Sequence, residues 1–367
     1  MEFLKKLRSS DLNAGKLVRT LIGLIVLALV VWRMIDVVII NKAYTADTWA
    51  RFAITGLVIG GMYALIAIGY TLVYGILLMI NFAHGEVMMF GSFAGYFMFE
   101  LFANIATPTP ENPELVFLNA YPIISIIAAF LVGMLVSALA GYFLEKIAYR
   151  PLRKAPRLVP LISAIGASIF LQNAAMLLFG PQRRPTINPA ILERSTGWEI
   201  LVAGNNVMIP YTGVFSFVFS IILMLGLYLL VQKTKLGRSM RAVSEDKAAA
   251  ALMGIDVDAV ISKTFIISGI LAGAAGVMWG VHNGVLNHYI GFIPGIKAFT
   301  AAVMGGIGNI PGAMLGGMTL GMLESIGPAV LGIDFQLKDV IAFTILILVL
   351  IFRPSGLLGE RLSQEKV

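Results

Sequence analysis

Residues 54–79 read ITGLVIGGMYALIAIGYTLVYGILLM, and residues 80–91, INFAHGEVMMFG, follow directly. The first stretch carries no charge and exceeds the roughly 20 apolar residues a helix needs to cross about 30 Å of hydrocarbon. The second places an amide, an imidazole and a carboxylate (Asn81, His84, Glu86) just before another apolar run. The first stretch points to a membrane-spanning helix, and the second marks where the chain needs something other than lipid.

The rest of the composition agrees. Of 367 residues, 58% are apolar and 13% charged, where a soluble domain averages about 25% charged. The mean hydropathy is +0.88. The 38 glycines are spread through apolar segments, as in helices that pack closely in a membrane. We expect an all-α fold, a polytopic membrane helical bundle with short or broken Gly-rich helices. The chain has no cysteine, which excludes disulfides, thiolate metal sites and a cysteine nucleophile.

Ten candidate spans can be drawn, at 17–40, 54–79, 87–104, 121–145, 158–180, 212–232, 260–283, 294–309, 312–327 and 337–352. The first must include Arg33 and Asp36, which at i, i+3 can pair or snorkel. It follows five basic residues and reads as an uncleaved anchor rather than a signal peptide, because no small-residue cleavage site follows closely. Of the 27 Lys and Arg, 19 lie before residue 20, in 146–157, in 233–263 and after 352. Alternating spans put these four segments on one side, so the positive-inside rule places both termini in the cytoplasm.

The sequence therefore divides into a cytoplasmic segment with a first anchor (1–51), one membrane domain (52–360) and a cytoplasmic tail (361–367). Segment 294–327 reads equally as two crossings or one re-entrant hairpin, since broken backbone is tolerated where protein buries it. Gly-rich interruptions at 55–91 and 291–321 suggest weak internal symmetry, as transporters often show near a substrate path. The outer loops 105–120 and 181–211 are long enough to receive a partner.

No GxxxxGK[ST] loop is present to cradle a nucleotide, and no HExxH to hold a metal. His84, His282 and His288 lack metal-ligand spacing, so no metal site is expected. A serine-nucleophile setting is missing too, leaving no catalytic residue to name. The informative stretch outside the spans is 235–263, KLGRSMRAVSEDKAAAALMGIDVDAVISK. Here Ser244 can cap a short helix with Glu245 and Asp246 in its first turn. Ala249 and Ala250 continue it, and Gly254 ends it as a C′ glycine. It reads either as a solvated loop helix or as a small-residue surface that seats in a partner, with an exposed Leu-Met end.

RAVSEDKAAAALMGID (241–256) followed by TFIISGILAGAAGVMWG (264–280) resembles the coupling-helix region of bacterial ABC-importer permeases of the branched-chain amino acid class. INFAHGEVMMFGS, EKIAYRPLRKAPRLVPLISAIGASIFLQN, NHYIGFIPGIKAFTAAVMGGIGNIPGAMLGG and KDVIAFTILILVLIFRPSGLLG resemble the same class, in order, over about 52–360. The resemblance implies a type II-like importer permease of the bacterial inner membrane. It further implies two cytoplasmic ATP-binding subunits that hold the ATP and Mg²⁺, a second related permease or a second copy, and a periplasmic or lipid-anchored substrate-binding protein. Coupling to the ATPase would fall on Glu245, Asp246, Ala249, Ala250 and Gly254. The N-terminal extension and the two long outer loops depart from the class.

On this topology Asn81, His84 and Glu86 fall at the cytoplasmic end of the second span. There Gly85 lets the chain turn and Asn81 caps carbonyls, or else the three line or gate the translocation path. Gln172 and Asn173 are a second candidate pair for the path; adjacent on a helix, they point to different sides. Ser163 and Ser168 read as packing contacts, Tyr63, Tyr70 and Tyr74 share a face, and Glu324 is a buried acid that needs a partner or a proton. Competing readings are a urea or short-amide importer, a stand-alone channel and an ion-coupled transporter. Nucleic acid is not an expected partner.

Overall fold

A computed structural model describes residues 28–359 except 42, 109, 111, 113, 154, 157 and 354. The expected N-terminal basic cluster, the start of the first span and the tail after 359 lie outside the described residues. The helices are α1 (28–40, closing with a π turn at Asp36–Ile40), α2 (Ala46–Leu77), α3 (His84–Ala103) and α4 (Pro122–Leu144, continuing as tighter and wider turns to Leu152). After α5 (Leu158–Phe179) come a hairpin, β1 (Gly197–Val202) and β2 (Asn205–Pro210), and then α6 (Tyr211–Lys233). The remainder is α7 (Lys235–Glu245), α8 (Lys247–Leu252), α9 (Val257–Asn283), α10 (Phe292–Gly305), α11 (Ile310–Leu331) and α12 (Lys338–Phe352).

Among the described residues, seven segments are long and apolar enough to cross a membrane: α2, α4, α5, α6, α9, α11 and Phe335–Phe352, which contains α12. The other three expected spans are helical over most of their described residues. However, α3 starts with His84 and Glu86, α10 has only 14 residues, and α1 is described only from residue 28. At 1.5 Å per residue α10 is about 21 Å long, too short to cross alone, so ten crossings is an approximate count.

We call the end carrying α8 the inner end and the opposite one the outer end. From Tyr63 beside Trp279 to the Gly69 carbonyl that accepts from Ser268, α2 runs antiparallel to α9. It also runs antiparallel to α11, where Gly56, Gly60 and Ala64 face Met322, Gly321 and Gly317. These two central helices are buried because they are small-residue-rich on several faces, which lets neighbouring backbones close in.

The described chain contains two four-helix halves of opposite direction. In the first, α2 runs outer to inner, residues 78–83 turn back into the bundle, and α3, α4 and α5 follow. In the second, α9 runs inner to outer, residues 284–291 turn back, and α10, α11 and α12 follow. Such inverted repeats are common in transporters. The re-entrant segments meet inside the protein: a side chain on Gly85 would strike the Gly291 carbonyl oxygen, and one on Gly291 would strike that of Gly85. Within 294–327, α10 runs from the junction toward the inner end and α11 returns to the outer end; the turn-rich segment 284–291 leads into α10. Gly85 is required for this close approach rather than for the turn expected of it.

At the outer end, the long loop 181–211 contains a β-hairpin. Trp198 to Ile209 pair across β1 and β2, and the link Ala203-Gly204 has positive φ at both residues, the geometry that joins twisted strands in two residues. The hairpin is tied to α2 by Asn205 donating to Asp47 (3.1 Å) and Arg51 donating to the Asn206 carbonyl (2.6 Å). Arg33 pairs with Asp36 at 2.7 Å, as their spacing suggests, and also reaches the Leu331 carbonyl, fastening α1 to α11.

Replacing Gly321 by Ala forces a methyl onto the Gly60 backbone, an overpacking that costs about 1–3 kcal/mol. We expect a clearly lower melting temperature of the purified protein for Gly321→Ala. Gly166→Ala, which meets open space, should melt no lower than wild type.

Candidate functional site

The centre of the site is the junction of the two re-entrant segments. Ser268, level with His84, lies 11 residues into α9, about 16 Å from its inner end at 1.5 Å per residue. The junction is therefore inside the bundle and not at its inner surface, which corrects the placement expected for Asn81, His84 and Glu86. All three are almost fully buried. Asn81 accepts a hydrogen bond from the Tyr149 hydroxyl (2.6 Å) instead of capping carbonyls. The His84 ring packs edge-on against Tyr70, with centroids 4.9 Å apart, and its Nδ1 is 3.4 Å from Ser268 Oγ. Glu86 lies in the first turn of α3, where the helix dipole favours a carboxylate.

Glu86 also reaches across to α5. Its Oε1 accepts from Gln172 Nε2 (2.8 Å) and Ser168 Oγ (3.2 Å). Gln172 thus joins the central group. Asn173 does not: it is exposed on the other side of α5 and donates to the Ile169 carbonyl, as adjacent helical residues must diverge. Ser163 donates to the Ala148 carbonyl, fixing the start of α5 to the inner end of α4.

The second half holds an ionic counterpart. Lys297 on α10 lies 2.7 Å from Glu324 Oε1 and 2.5 Å from Asp339 on α12. Tyr63 donates to Glu324 Oε2 at 2.9 Å. Glu324 was legible as a buried acid; Lys297 was missed, although a lone lysine in the apolar run 292–305 is itself a sign that a buried acid awaits it. α5 and α12 are the least embedded of the long helices, with 17% and 6% of their most apolar stretch buried against 78% for α9. Each is tied to its half in part through a buried polar residue on the helix that starts at the junction, Glu86 or Lys297.

At the inner end the cap differs from the one expected. Ser244 and Glu245 close α7, and Asp246 is the cap of α8, its Oδ1 accepting from Ala248 (2.7 Å) and Ala249 (3.0 Å) backbone amides. The helical run 235–245 extends past Ser244, so the first carboxylate able to break and restart it takes the role. Ala249 is exposed, Ala250 is buried, and Gly254 has φ +81°, the C′ geometry expected of it. Leu252 and Met253 are 89% and 83% exposed. Partial desolvation, with the nearby Arg153 charge, lowers the Lys247 ammonium from its ordinary value. Beside α8, Arg153 bridges Glu145 and Asp258, Arg150 adds a second contact to Asp258 (2.5 Å), and Ser262 donates to Glu145 (2.8 Å). This network ties the inner ends of α4 and α9 together under the exposed helix.

The profile of the branched-chain amino acid transport system permease component matches residues 52–350. This chain belongs to that family. It is 47% identical to the high-affinity branched-chain amino acid transport system permease protein BraD of Pseudomonas aeruginosa over 316 residues, 86% of this chain and 96% of the relative. It is 43% identical to LivH of Escherichia coli, a protein of the same description, over 85% of this chain and 96% of the relative. Weaker similarity, 30% over 153 residues, reaches the autoinducer 2 import system permease LsrC of Photorhabdus laumondii, covering 40% of this chain and 46% of that one. No solved structure gives a significant match. The matched region of the permease runs from the first turns of α2 nearly to the end of α12 and contains both halves of the site.

Removing one partner of a buried ion pair leaves an uncompensated charge and costs about 3–5 kcal/mol, while replacing both with apolar groups is often neutral. In the permease, Lys297→Met should therefore sharply reduce the yield of folded protein. Lys297→Met combined with Glu324→Met should recover most of the loss, measured by size-exclusion profile and melting temperature.

Proposed function

We propose that this permease carries Leu, Ile or Val inward across a bacterial inner membrane, as one half of the membrane path of an ATP-driven importer. The observation that carries the coupling part is α8, a capped surface helix whose end presents Leu252 and Met253 almost wholly to the surroundings. Two adjacent apolar side chains left this exposed offer a surface that a partner protein could cover. In this reading two cytoplasmic ATPase subunits bind the ATP and Mg²⁺, and one seats against α8. The Arg153 network passes its displacement to α4 and α9.

A second related permease, or a second copy, would complete the path along α5 and α12. A binding protein would dock on the outer hairpin and the 105–120 loop and do most of the selecting. Both termini would face the cytoplasm, with the basic loops 146–157 and 233–256. A path walled by small and apolar side chains suits a branched aliphatic cargo, which gains little by lingering there. Glu86 and Lys297 act here as positioning residues: each holds an outer helix against its half while the central junction stays shut.

Gly254→Asp strains a left-handed position that has no steric neighbour, and Leu252→Asp places a charge at the exposed end. Both variants should keep the elution profile and melting temperature of the permease while losing most ATPase subunit on gentle co-purification. Uptake of labelled leucine in cells should fall at least tenfold. Retention of full leucine uptake by both variants would sink the coupling assignment.

A further inference from the structure

The register of the outer hairpin sorts its side chains into two faces, because successive residues of a strand alternate and residues opposite each other in an antiparallel pair share a face. Trp198 opposite Ile209, Ile200 opposite Val207 and Val202 opposite Asn205 form one face; Glu199 opposite Met208 and Leu201 opposite Asn206 form the other. The first face carries no charge and is turned to the membrane helices. Val207 is fully buried, Asn205 donates to Asp47 of α2 (3.1 Å), and Trp198 stands edge-on to Tyr211, the first residue of α6, with ring centroids 5.1 Å apart. The helices cover this face on β2 but not on β1, where Trp198 is 57% and Ile200 45% exposed. The uncharged face therefore overhangs the helix ends it rests on.

The depth of the overhang is set by α2. That helix has 32 residues, about 48 Å at 1.5 Å per residue, against roughly 30 Å of hydrocarbon. Its charge-free run begins at Phe52, directly after Arg51. Asp47 and Arg51, which hold the hairpin, are thus at headgroup level. Tyr44 and Trp49 pack edge-on there, as aromatic residues do at a membrane–water boundary. On α6, Tyr211 lies in one stripe with Val218, Ile222, Leu225 and Leu229, spaced seven, four, three and four residues apart, and those four are exposed along the flank of the bundle. Trp198 continues that lipid-facing stripe upward through its contact with Tyr211.

We propose that the Trp198–Ile200 face of the hairpin is seated in the outer headgroup layer of the bilayer, while the Glu199–Leu201 face stays in water. The partner of the first face is a lipid surface, and the second is left free for a protein. Seated this way, the hairpin fixes the depth of the first turns of α2 through Asp47 and Arg51. Nothing in this placement depends on which solute is carried.

Because the chain has no cysteine, single cysteines enter it without other changes. Glu199→Cys, Ile200→Cys and Leu201→Cys, each carrying a nitroxide, are reconstituted at full length in phosphatidylethanolamine–phosphatidylglycerol nanodiscs, with whatever subunits are retained and without binding protein. Collision with oxygen, which concentrates in lipid, is compared with collision with a water-soluble nickel chelate. Their ratio should be about threefold or more higher at 200 than at 199 and 201, with elution profiles and melting temperatures like wild type. As a label-free check, Trp198 emission is taken as the difference between wild type and Trp198→Phe; brominated lipids should quench it and iodide should not. Equal chelate access at all three positions would overturn the placement, as would quenching of Trp198 by iodide. Protection of position 200 without quenching of Trp198 by brominated lipid would overturn it too, and would point to cover by a protein chain.

Discussion

The backbone contact between Gly85 and Gly291 is the constraint on which the rest of this permease depends. Two chain segments turn back from opposite faces and meet inside the bundle, where any side chain on either glycine would strike the other backbone. Non-helical backbone at membrane depth is tolerated only when protein buries it. The two long helices α2 and α9 therefore have to surround the junction, and their small residues let the neighbours close in. Each half contributes one helix that begins at the junction, α3 or the shorter α10, with its positive end there.

Those two helices carry polar and charged groups into an apolar core. Glu86 sits in the first turn of α3, where the dipole favours it, and its Oε1 accepts from Ser168 and Gln172 of α5. Lys297 on α10 answers Glu324 and Asp339 on α11 and α12. The two contacts differ in chemistry but share a geometry. In each half the polar group is on the helix that starts at the junction and reaches the membrane helix that is least buried, α5 or α12. A helix with few buried apolar contacts is the cheapest to move, so specific polar ties are what define its resting position.

The two ends of the molecule are built differently for the same reason. The inner end is held by the ionic network around Arg153, which ties α4 to α9, with the exposed α8 beside it. The outer end has the hairpin and α1. Family membership, shared with BraD and LivH over most of the chain, covers both ends and the junction between them.

From the residues alone came the membrane class, the approximate span positions, the α8 region with its Gly254 stop, the Arg33–Asp36 pair and the need of Glu324 for a partner. Each of these depends on local composition or on spacing within one helix. What only the tertiary structure decided were pairings between distant segments. They include Gly85 against Gly291, Asn81 with Tyr149, Glu86 with Gln172, Lys297 as the partner of Glu324, and the hairpin's hold on Arg51. The cap of α8 moved from Ser244 to Asp246 because the preceding helix runs further than propensity indicates. Hydropathy reports how much of a segment is buried and at what period. It carries no information on how deep a re-entrant segment reaches or which helix faces it, because those are set by where two backbones can touch.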